Sequence, residues 1–314
     1  MADRADVSLL DRRLVFVTGK GGVGKTSVAA ALGELAARSG RRTLVCEMDA
    51  KGALADALGA SSLEFRPTEV EPGLFAMAMN TEDSLREYLR LFVKVPLLGK
   101  IGPLARTFDF VADAAPGVKE ILAVGKLCHE VRERHDDLVV VDAEATGHIV
   151  AQIGAPKVIR NLVQVGMVRD QTDWMLDILH DPAVTGVVVV TTPEEMPVTE
   201  TLDLINRLEP ETGVAPTAIV ANRVLSPWFR DDEHDLVAAI AGRSERLVDA
   251  AGRGVLTVLD AARIAEARRV TGEGHLDRLR HEVDLPILTV PELFTRATGR
   301  RVVTLVADAL AEVV

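Results

Sequence analysis

Short apolar runs separated by longer helical stretches set the pattern of this chain. The runs are rich in Val, Leu and Ile, as is typical of strands buried on both faces of a parallel sheet. They cover 14–18, 43–48, 73–80, 138–142, 187–191, 218–222 and 285–290. Between the first two runs, residues 26–39 are rich in Ala and Leu, and Gly40 is a typical helix stop. The alternation predicts an α/β fold with a doubly wound, mostly parallel sheet.

The stretch 81–130 is helical in pattern but interrupted. An amphipathic stripe from Leu85 to Val93 is followed by Gly and Pro at 95–104 and 115–118. Two interpretations stay open: a mobile lobe with a hydrophobic surface, or an ordinary helical layer on the sheet. We predict one domain over 1–314 with a helical client or lid subdomain inserted at about 81–130, and 155–182 as a second candidate segment.

Composition narrows the classes of function. The hydrophobic fraction of 48% supports a real core, which is aliphatic because aromatic residues make up only 4%. A net charge of −11 argues against a nucleic-acid partner, since binding phosphates needs a basic surface. The first residues lack signal-peptide architecture, and no apolar run reaches the roughly 18 residues of a membrane span. We expect a soluble, cytoplasmic protein.

The two cysteines, Cys46 and Cys128, lie far apart in the sequence and form no C-x-x-C pair. They are predicted to be buried, reduced thiols. A structural zinc site built from them would need a dimer axis to supply four ligands, and no neighbouring residue suggests one.

Residues 19–27 complete the phosphate-loop pattern G-x-x-x-x-G-K-[ST], between a predicted strand and a predicted helix. In the curled loop, four backbone N–H groups are expected to face phosphate oxygens, namely the N–H groups of Gly21, Gly22, Val23 and Gly24. Lys25 is expected to reach the β- and γ-phosphates of ATP, the Thr26 hydroxyl to bind Mg²⁺, and Ser27 to contact the α-phosphate.

Three polar residues follow predicted strands, where open α/β sheets bind ligands. Asp49 is either a helix N-cap or the group that orients or deprotonates the water attacking the γ-phosphate. Asp142 has the position of a Walker B aspartate, which binds Mg²⁺ through water. Asn222 is either a turn residue or an amide that pairs with the edge of a purine.

Lys20 is a second lysine inside the loop. It is either a surface lysine that helps by its charge, or it resembles the signature lysine of the deviant Walker A ATPases, which crosses a dimer interface to the partner's nucleotide. The run 20–26 matches that class in full.

With these motifs the chain resembles the ArsA/Get family of ATPases, of the arsenite-pump and tail-anchored-protein-targeting type. Residues 48–50 are similar to its switch I and 142–148 to its switch II. The resemblance implies a P-loop NTPase fold of the SIMIBI type and a dimer with nucleotides at its interface. It also implies an adenine-reading role for Asn222 and a base-covering loop at Pro291 and Glu292.

The sequence departs from the ArsA/Get pattern at several functional positions. Ala50 replaces the switch I proline, and the zinc C-x-x-C and a cysteine triad for metalloids are both absent. The leading hypothesis is a Mg-ATP-dependent dimeric ATPase whose hydrolysis cycle switches a helical subdomain. The dimer would be a homodimer or a heterodimer with a paralogue, and the partner a hydrophobic protein client or a membrane-associated protein.

Three other classes of protein share a phosphate loop. A catalytically weak ATP-binding subunit, activated by a paralogue, fits the altered switch I and a switch II that carries Ala143-Glu144-Ala145 where the family has Thr-Ala-Pro. A ParA/MinD-like positioning ATPase would need a basic face or a basic C-terminal helix, whereas 306–312 carries acids and no bases. A nitrogenase iron-protein type would need a cysteine near switch II, and 142–152 contains none.

Overall fold

The computed structural model describes residues 9–48, 51–88, 117–163, 165–228 and 252–312, together with 233, 239, 248 and 249. Asp49 and Ala50 of the predicted switch I lie outside these ranges, as does the central part of the predicted insert, 89–116.

One eight-stranded sheet forms the centre of the described chain, with strands in the order β3-β4-β2-β5-β1-β6-β7-β8. All neighbours pair in parallel except β3 and β4, which are antiparallel. The strands are β1 (Leu14–Gly19), β2 (Thr43–Glu47), β3 (Thr68–Glu71), β4 (Leu74–Ala78), β5 (Leu138–Ala145), β6 (Thr185–Thr191), β7 (Pro216–Val224) and β8 (Ile287–Pro291). This arrangement confirms the predicted doubly wound, mostly parallel sheet.

Helices cover both faces of the sheet. They are α1 (Lys25–Arg38), α2 (Ala53–Leu58), α3 (Thr81–Tyr88), α4 (Val118–Glu133), α5 (Thr146–Leu162), α6 (Met167–Leu179), α7 (Glu195–Thr212), α8 (Gly254–Glu282) and α9 (Arg300–Ala311). Side chains of α1, α2 and α9 share one apolar core with the sheet, and those of α4, α5, α6 and α7 share a second core on the opposite face. The described helices within 81–130 and 155–182 thus pack against the sheet or each other, and a separately inserted subdomain stays a prediction.

The helix that follows the phosphate loop lies very close to the sheet. A Cβ added at Gly33 of α1 would lie 2.3 Å from Cγ2 of Val45 on β2. On its other side α1 packs against α9, where Thr304 donates a hydrogen bond to the buried Glu34 and Arg38 pairs with Asp308. The C-terminal helix is therefore docked on the domain.

Both cysteines are buried and unpaired in disulfides, in agreement with the sequence prediction. Burial raises the pKa of each thiol far above its ordinary value. Within the described ranges, none of the helices combines the length and apolar character that crossing a membrane requires.

Candidate functional site

The phosphate loop joins the end of β1 to the start of α1, at the edge of the sheet where the parallel strands have their carboxyl ends. Gly22 and Gly24 have left-handed φ angles of 88° and 95°. At Gly24 a side chain is also excluded by space, because a Cβ there would lie 2.4 Å from Nδ2 of Asn222. The first turn of α1 contains no acidic residue and has no side-chain cap. Its N–H groups and helix dipole therefore form a ready anion site.

Lys25 and Ser27 lie in this first turn. The Lys25 ammonium is 3.4 Å from the carbonyl oxygen of Lys20, its hydrogen-bond acceptor within the loop. Burial lowers the pKa of Lys25, the charge of Asp142 opposes that change, and the charge of Lys51 adds to it. A phosphate would supply the negative charge that a partly buried ammonium lacks.

The two predicted metal-binding residues lie in contact. The Thr26 hydroxyl donates a hydrogen bond of 2.6 Å to Oδ2 of Asp142, which is 7% exposed on β5. A hydroxyl and a carboxylate are hard oxygen donors of the kind that Mg²⁺ prefers. The residues present therefore fit a Mg²⁺ ion beside the phosphate loop.

Lys20 forms an ion pair within its own chain. Its ammonium contacts Oε1 of Glu200 on α7, and Oε2 of Glu200 accepts a hydrogen bond of 3.1 Å from the Thr146 hydroxyl. The hydrogen bond from Lys20 is the main cause that lowers the pKa of Glu200, so this carboxylate is ionised at neutral pH. Thr146 is the first residue of α5 and belongs to the switch II segment. The pair therefore joins the phosphate loop to switch II.

Asn222 fastens the phosphate loop to β7. Its Nδ2 donates a hydrogen bond of 2.8 Å to the carbonyl oxygen of Val23, and its Oδ1 accepts one of 3.0 Å from the N–H of Arg223. One N–H of the amide is left for a purine. The adenine-reading role of Asn222 stays a prediction beside this structural role.

Pro291 ends β8, and the N–H of Glu292 donates a hydrogen bond of 2.9 Å to the carbonyl oxygen of Val224. The strand ends of β7 and β8 border a cavity of about 660 Å³ whose lining includes Arg223, Glu292 and Phe294. The Phe294 ring meets Trp228 edge to face, with centroids 5.4 Å apart. Side chains of α8 complete the lining. A cavity with an aromatic ring and charged groups in its walls suits the base and sugar of a nucleotide.

Asp49 lies outside the described residues, but its neighbours in the chain are placed. The N–H of Met48 donates to the carbonyl oxygen of Asp142 at 3.1 Å, and Lys51 is near enough to lower the pKa of Lys25. Met48 and Lys51 thus lie near the residues of the candidate site. The catalytic role of Asp49 stays a prediction.

Two acidic residues near the loop were not among the predicted site residues. Glu200 lies 180 positions from Lys20 and carries no local sequence signal apart from the family resemblance. Glu47 is 2% exposed at the end of β2. An acidic residue inside an apolar strand pattern is a signal that could have identified it.

Comparison with known proteins agrees with this geometry. The family model for anion-transporting ATPases matches residues 12–175 and 160–240. ATPase BagA of Mycobacterium tuberculosis is 28% identical over 304 residues, covering 89% of this chain and 87% of that protein. A putative arsenical pump-driving ATPase of Halobacterium salinarum is 25% identical over 248 residues, covering 72% of this chain and 38% of that protein.

An ATPase ASNA1 homolog of Paramecium tetraurelia is 29% identical over 147 residues, covering 46% of this chain and 44% of that protein. The family match spans the phosphate loop, the Walker B strand β5 and Asn222, which are the parts that form the site. The chain therefore belongs to the anion-transporting ATPase family, a family of ATP-hydrolysing enzymes.

Proposed function

We propose that this ATP hydrolase works as a Mg-ATP-dependent dimer, in which the hydrolysis cycle switches a helical segment that binds a client or partner protein. The contact between Thr26 and Asp142 beside the phosphate loop carries the proposal, because it brings the two expected metal-binding groups to the place where a β,γ-phosphate pair would lie.

Each predicted site residue then has a role. The N–H groups of the loop and the Lys25 ammonium bind the phosphates, and Ser27 contacts the α-phosphate. Thr26 and, through water, Asp142 would hold Mg²⁺, which when bound neutralises charge on the phosphates. Asp49 orients or deprotonates the attacking water.

The nucleoside half of ATP is assigned to the side of the phosphate loop that faces the ends of β7 and β8. Asn222 lies against Val23, Pro291 ends the neighbouring strand β8, and Glu292 after it lines the 660 Å³ cavity. A purine there would meet the remaining N–H of Asn222 and the backbone of the β8 loop. We expect adenine to be preferred because of the family resemblance.

Dimerisation is proposed from Lys20. A lysine that completes the partner's site must extend out of its own loop, and Lys20 is about one third exposed, with 31% of its side chain accessible. The partner is a second copy or a paralogue, and the client class, a hydrophobic protein segment or a membrane-associated partner, rests on the sequence of 81–130. The cytoplasm is the expected compartment.

One observation favours a second candidate, an ATP-binding subunit with weak turnover that a paralogue activates. Lys20 is engaged by Glu200 in its own chain, so the isolated chain holds its signature lysine away from a partner. Driving an arsenical pump, the role in the name of the Halobacterium salinarum relative, has no support in this chain, because both of its cysteines are buried.

The test is steady-state ATP hydrolysis by the purified chain, measured beside its mass in solution with and without a non-hydrolysable ATP analogue. We expect the chain to hydrolyse ATP as a dimer, and we expect the analogue to strengthen dimerisation. Lys25→Ala should weaken nucleotide binding, and Asp49→Asn should keep binding and lower turnover by about 10²-fold. Lys157→Ala is the matched control, because Lys157 is a half-buried lysine that donates a hydrogen bond to the carbonyl oxygen of Glu211 at the end of α7.

The outcomes separate the candidates. Binding without turnover by a monomer would favour the paralogue-activated subunit. A chain that binds no nucleotide would refute both. Full activity of Lys20→Ala would remove the role of Lys20 across an interface, and unchanged turnover of Asp49→Asn would remove Asp49 from the mechanism.

A further inference from the structure

Glu47 is an almost fully buried acid beside the proposed magnesium site. It is the last residue of β2, is 2% exposed, and lies in register with Asp142 on the neighbouring parallel strand β5. Two residues earlier on each strand, Val45 and Val140 belong to the same apolar core under α1. Because side chains alternate along a strand, Glu47 and Asp142 project on that same face, about 5 Å apart across the sheet.

The two carboxylate oxygens of Glu47 have different surroundings. Oε1 accepts hydrogen bonds from the first N–H groups of α2, at 2.8 Å from Ala53 and 3.3 Å from Leu54. Oε2 is buried and accepts no hydrogen bond from the described part of the chain. A buried carboxylate oxygen without a donor is strongly unfavourable, so the site lacks a group that would satisfy it.

A hydrated divalent cation is such a group. Mg²⁺ dehydrates reluctantly and keeps several waters when only one or two protein groups bind it. Its waters are strong hydrogen-bond donors, and its charge offsets the cost of burying a second carboxylate beside Asp142. The residues proposed to hold the metal, Thr26 and Asp142, are in contact at 2.6 Å, and Asp142 lies on the strand next to that of Glu47.

We infer that Glu47 is a further acidic residue of the magnesium site: Oε2 accepts a hydrogen bond from a metal-bound water while Oε1 holds the N-terminus of α2. The inference rests on the proposed function. The same carboxylate then connects the metal to Ala53 and Leu54 at the start of α2. Glu47 acts on hydrolysis through the metal water and the start of α2, as a positioning residue.

The experiment measures Mg²⁺ dependence of nucleotide binding rather than activity. A fluorescent ATP analogue is titrated with Mg²⁺ from an EDTA-treated start, for the wild-type chain and Glu47→Gln. Groups that orient the ligands of a metal typically change metal affinity by about 10- to 100-fold when mutated. We expect Glu47→Gln to need about 10-fold more Mg²⁺ for half-maximal binding, with its Mg²⁺-free affinity unchanged.

Glu34→Gln is the matched control. Glu34 is also a buried glutamate, 3% exposed, but it lies on α1 and accepts its hydrogen bonds from Arg38 and Thr304, away from the phosphate loop. Its Mg²⁺ midpoint should equal that of the wild type. An equal shift in both variants would overturn the inference, because neutralising any buried acid would then give the result.

The remaining outcomes are also decisive. An unchanged Mg²⁺ midpoint for Glu47→Gln overturns the inference, and an equal loss of binding with and without Mg²⁺ shows that Glu47 only caps α2. If Glu47→Gln does not fold, Glu47→Asp is used, which keeps the charge but draws the carboxylate back by one methylene. We expect this variant to need about 3-fold more Mg²⁺ for half-maximal binding, by the same argument. If the wild-type chain bound the nucleotide equally well at every Mg²⁺ concentration, the metal would have no place in the proposed function, and the inference about Glu47 would be overturned with it.

Discussion

Neutralising Glu200 should make ATP-driven dimerisation easier. In the single chain, Glu200 holds the ammonium of Lys20 and also accepts a hydrogen bond from Thr146. A signature lysine that serves the partner's nucleotide must first leave this ion pair. Glu200→Gln keeps a hydrogen-bond acceptor but removes the charge that retains Lys20.

The size of the effect follows from the exposure of the pair. The two side chains are 31% and 32% exposed, so the interaction is screened, and exposed pairs contribute about 0.2–1 kcal/mol. Gln retains part of the contact, and we take about 0.5 kcal/mol as the loss in each chain. A symmetric dimer releases two such pairs, or about 1 kcal/mol, which corresponds to roughly 5-fold tighter dimerisation.

Sedimentation equilibrium with a non-hydrolysable ATP analogue measures the dimer dissociation constant directly. Glu211→Gln is the matched control, because Glu211 pairs with Arg207 near the other end of the same helix. It should dimerise as the wild type does. Weaker or unchanged dimerisation of Glu200→Gln would contradict the reasoning, since Glu200 would then serve the dimer rather than restrain its formation.

The pH dependence gives a second check on the same pair. Lys20 lowers the pKa of Glu200 below its ordinary 4.5. A lowered folded-state pKa means that the pair stabilises the single chain above about pH 4.5 and that this contribution disappears as the pH falls through the lowered value. The 5-fold difference in dimerisation should therefore stay constant between about pH 6 and 8.

Three further predictions concern the core and the nucleotide. Cys46 and Cys128, whose thiol pKa values are raised by burial, should not react with a thiol reagent at about pH 8 until denaturant unfolds the chain; rapid labelling of the native protein would contradict their placement. Gly33→Ala should lower the free energy of unfolding by about 1–3 kcal/mol, measured in urea, because α1 lies against the sheet there, whereas Gly274→Ala, with open space around it, should not lower it. Asn222→Asp should weaken ATP more than GTP in competition binding if the amide reads adenine; equal weakening would leave it only the loop-fastening role.

Strands were easy to predict where both faces are buried. Residues 138–141 of β5 and 187–190 of β6 are apolar at every position, because helices cover the sheet on both sides. β3 was not predicted, because Thr68–Glu71 is a partly exposed, acidic edge strand that pairs antiparallel to β4. Its pairing depends on the neighbouring strand and not on its own pattern.

The candidate site also has a part that the sequence predicts and a part that it does not. The phosphate loop is contiguous in the sequence, so its motif could be identified directly. The contacts of Lys20 with Glu200 and of Asn222 with Val23 span 180 and 199 positions. Such contacts are set by which strand ends meet at the sheet edge, and no periodicity in the sequence encodes them.

The three side-chain contacts around the loop differ in what ATP would do to them. The Thr26 hydroxyl donates its hydrogen to Asp142 and keeps its lone pairs, so it can bind a metal while this contact persists, whereas Lys20 must release Glu200 to reach a partner. Asn222 holds the backbone carbonyl oxygen of Val23, so its contact requires neither the metal nor the partner. We therefore expect Asn222 and Thr26 to keep their contacts throughout the cycle, while the Lys20–Glu200 contact exchanges for the partner. A loop that is held by two contacts and exchanges only the third can couple nucleotide binding to release of Lys20, which is the link that a nucleotide-driven dimer requires.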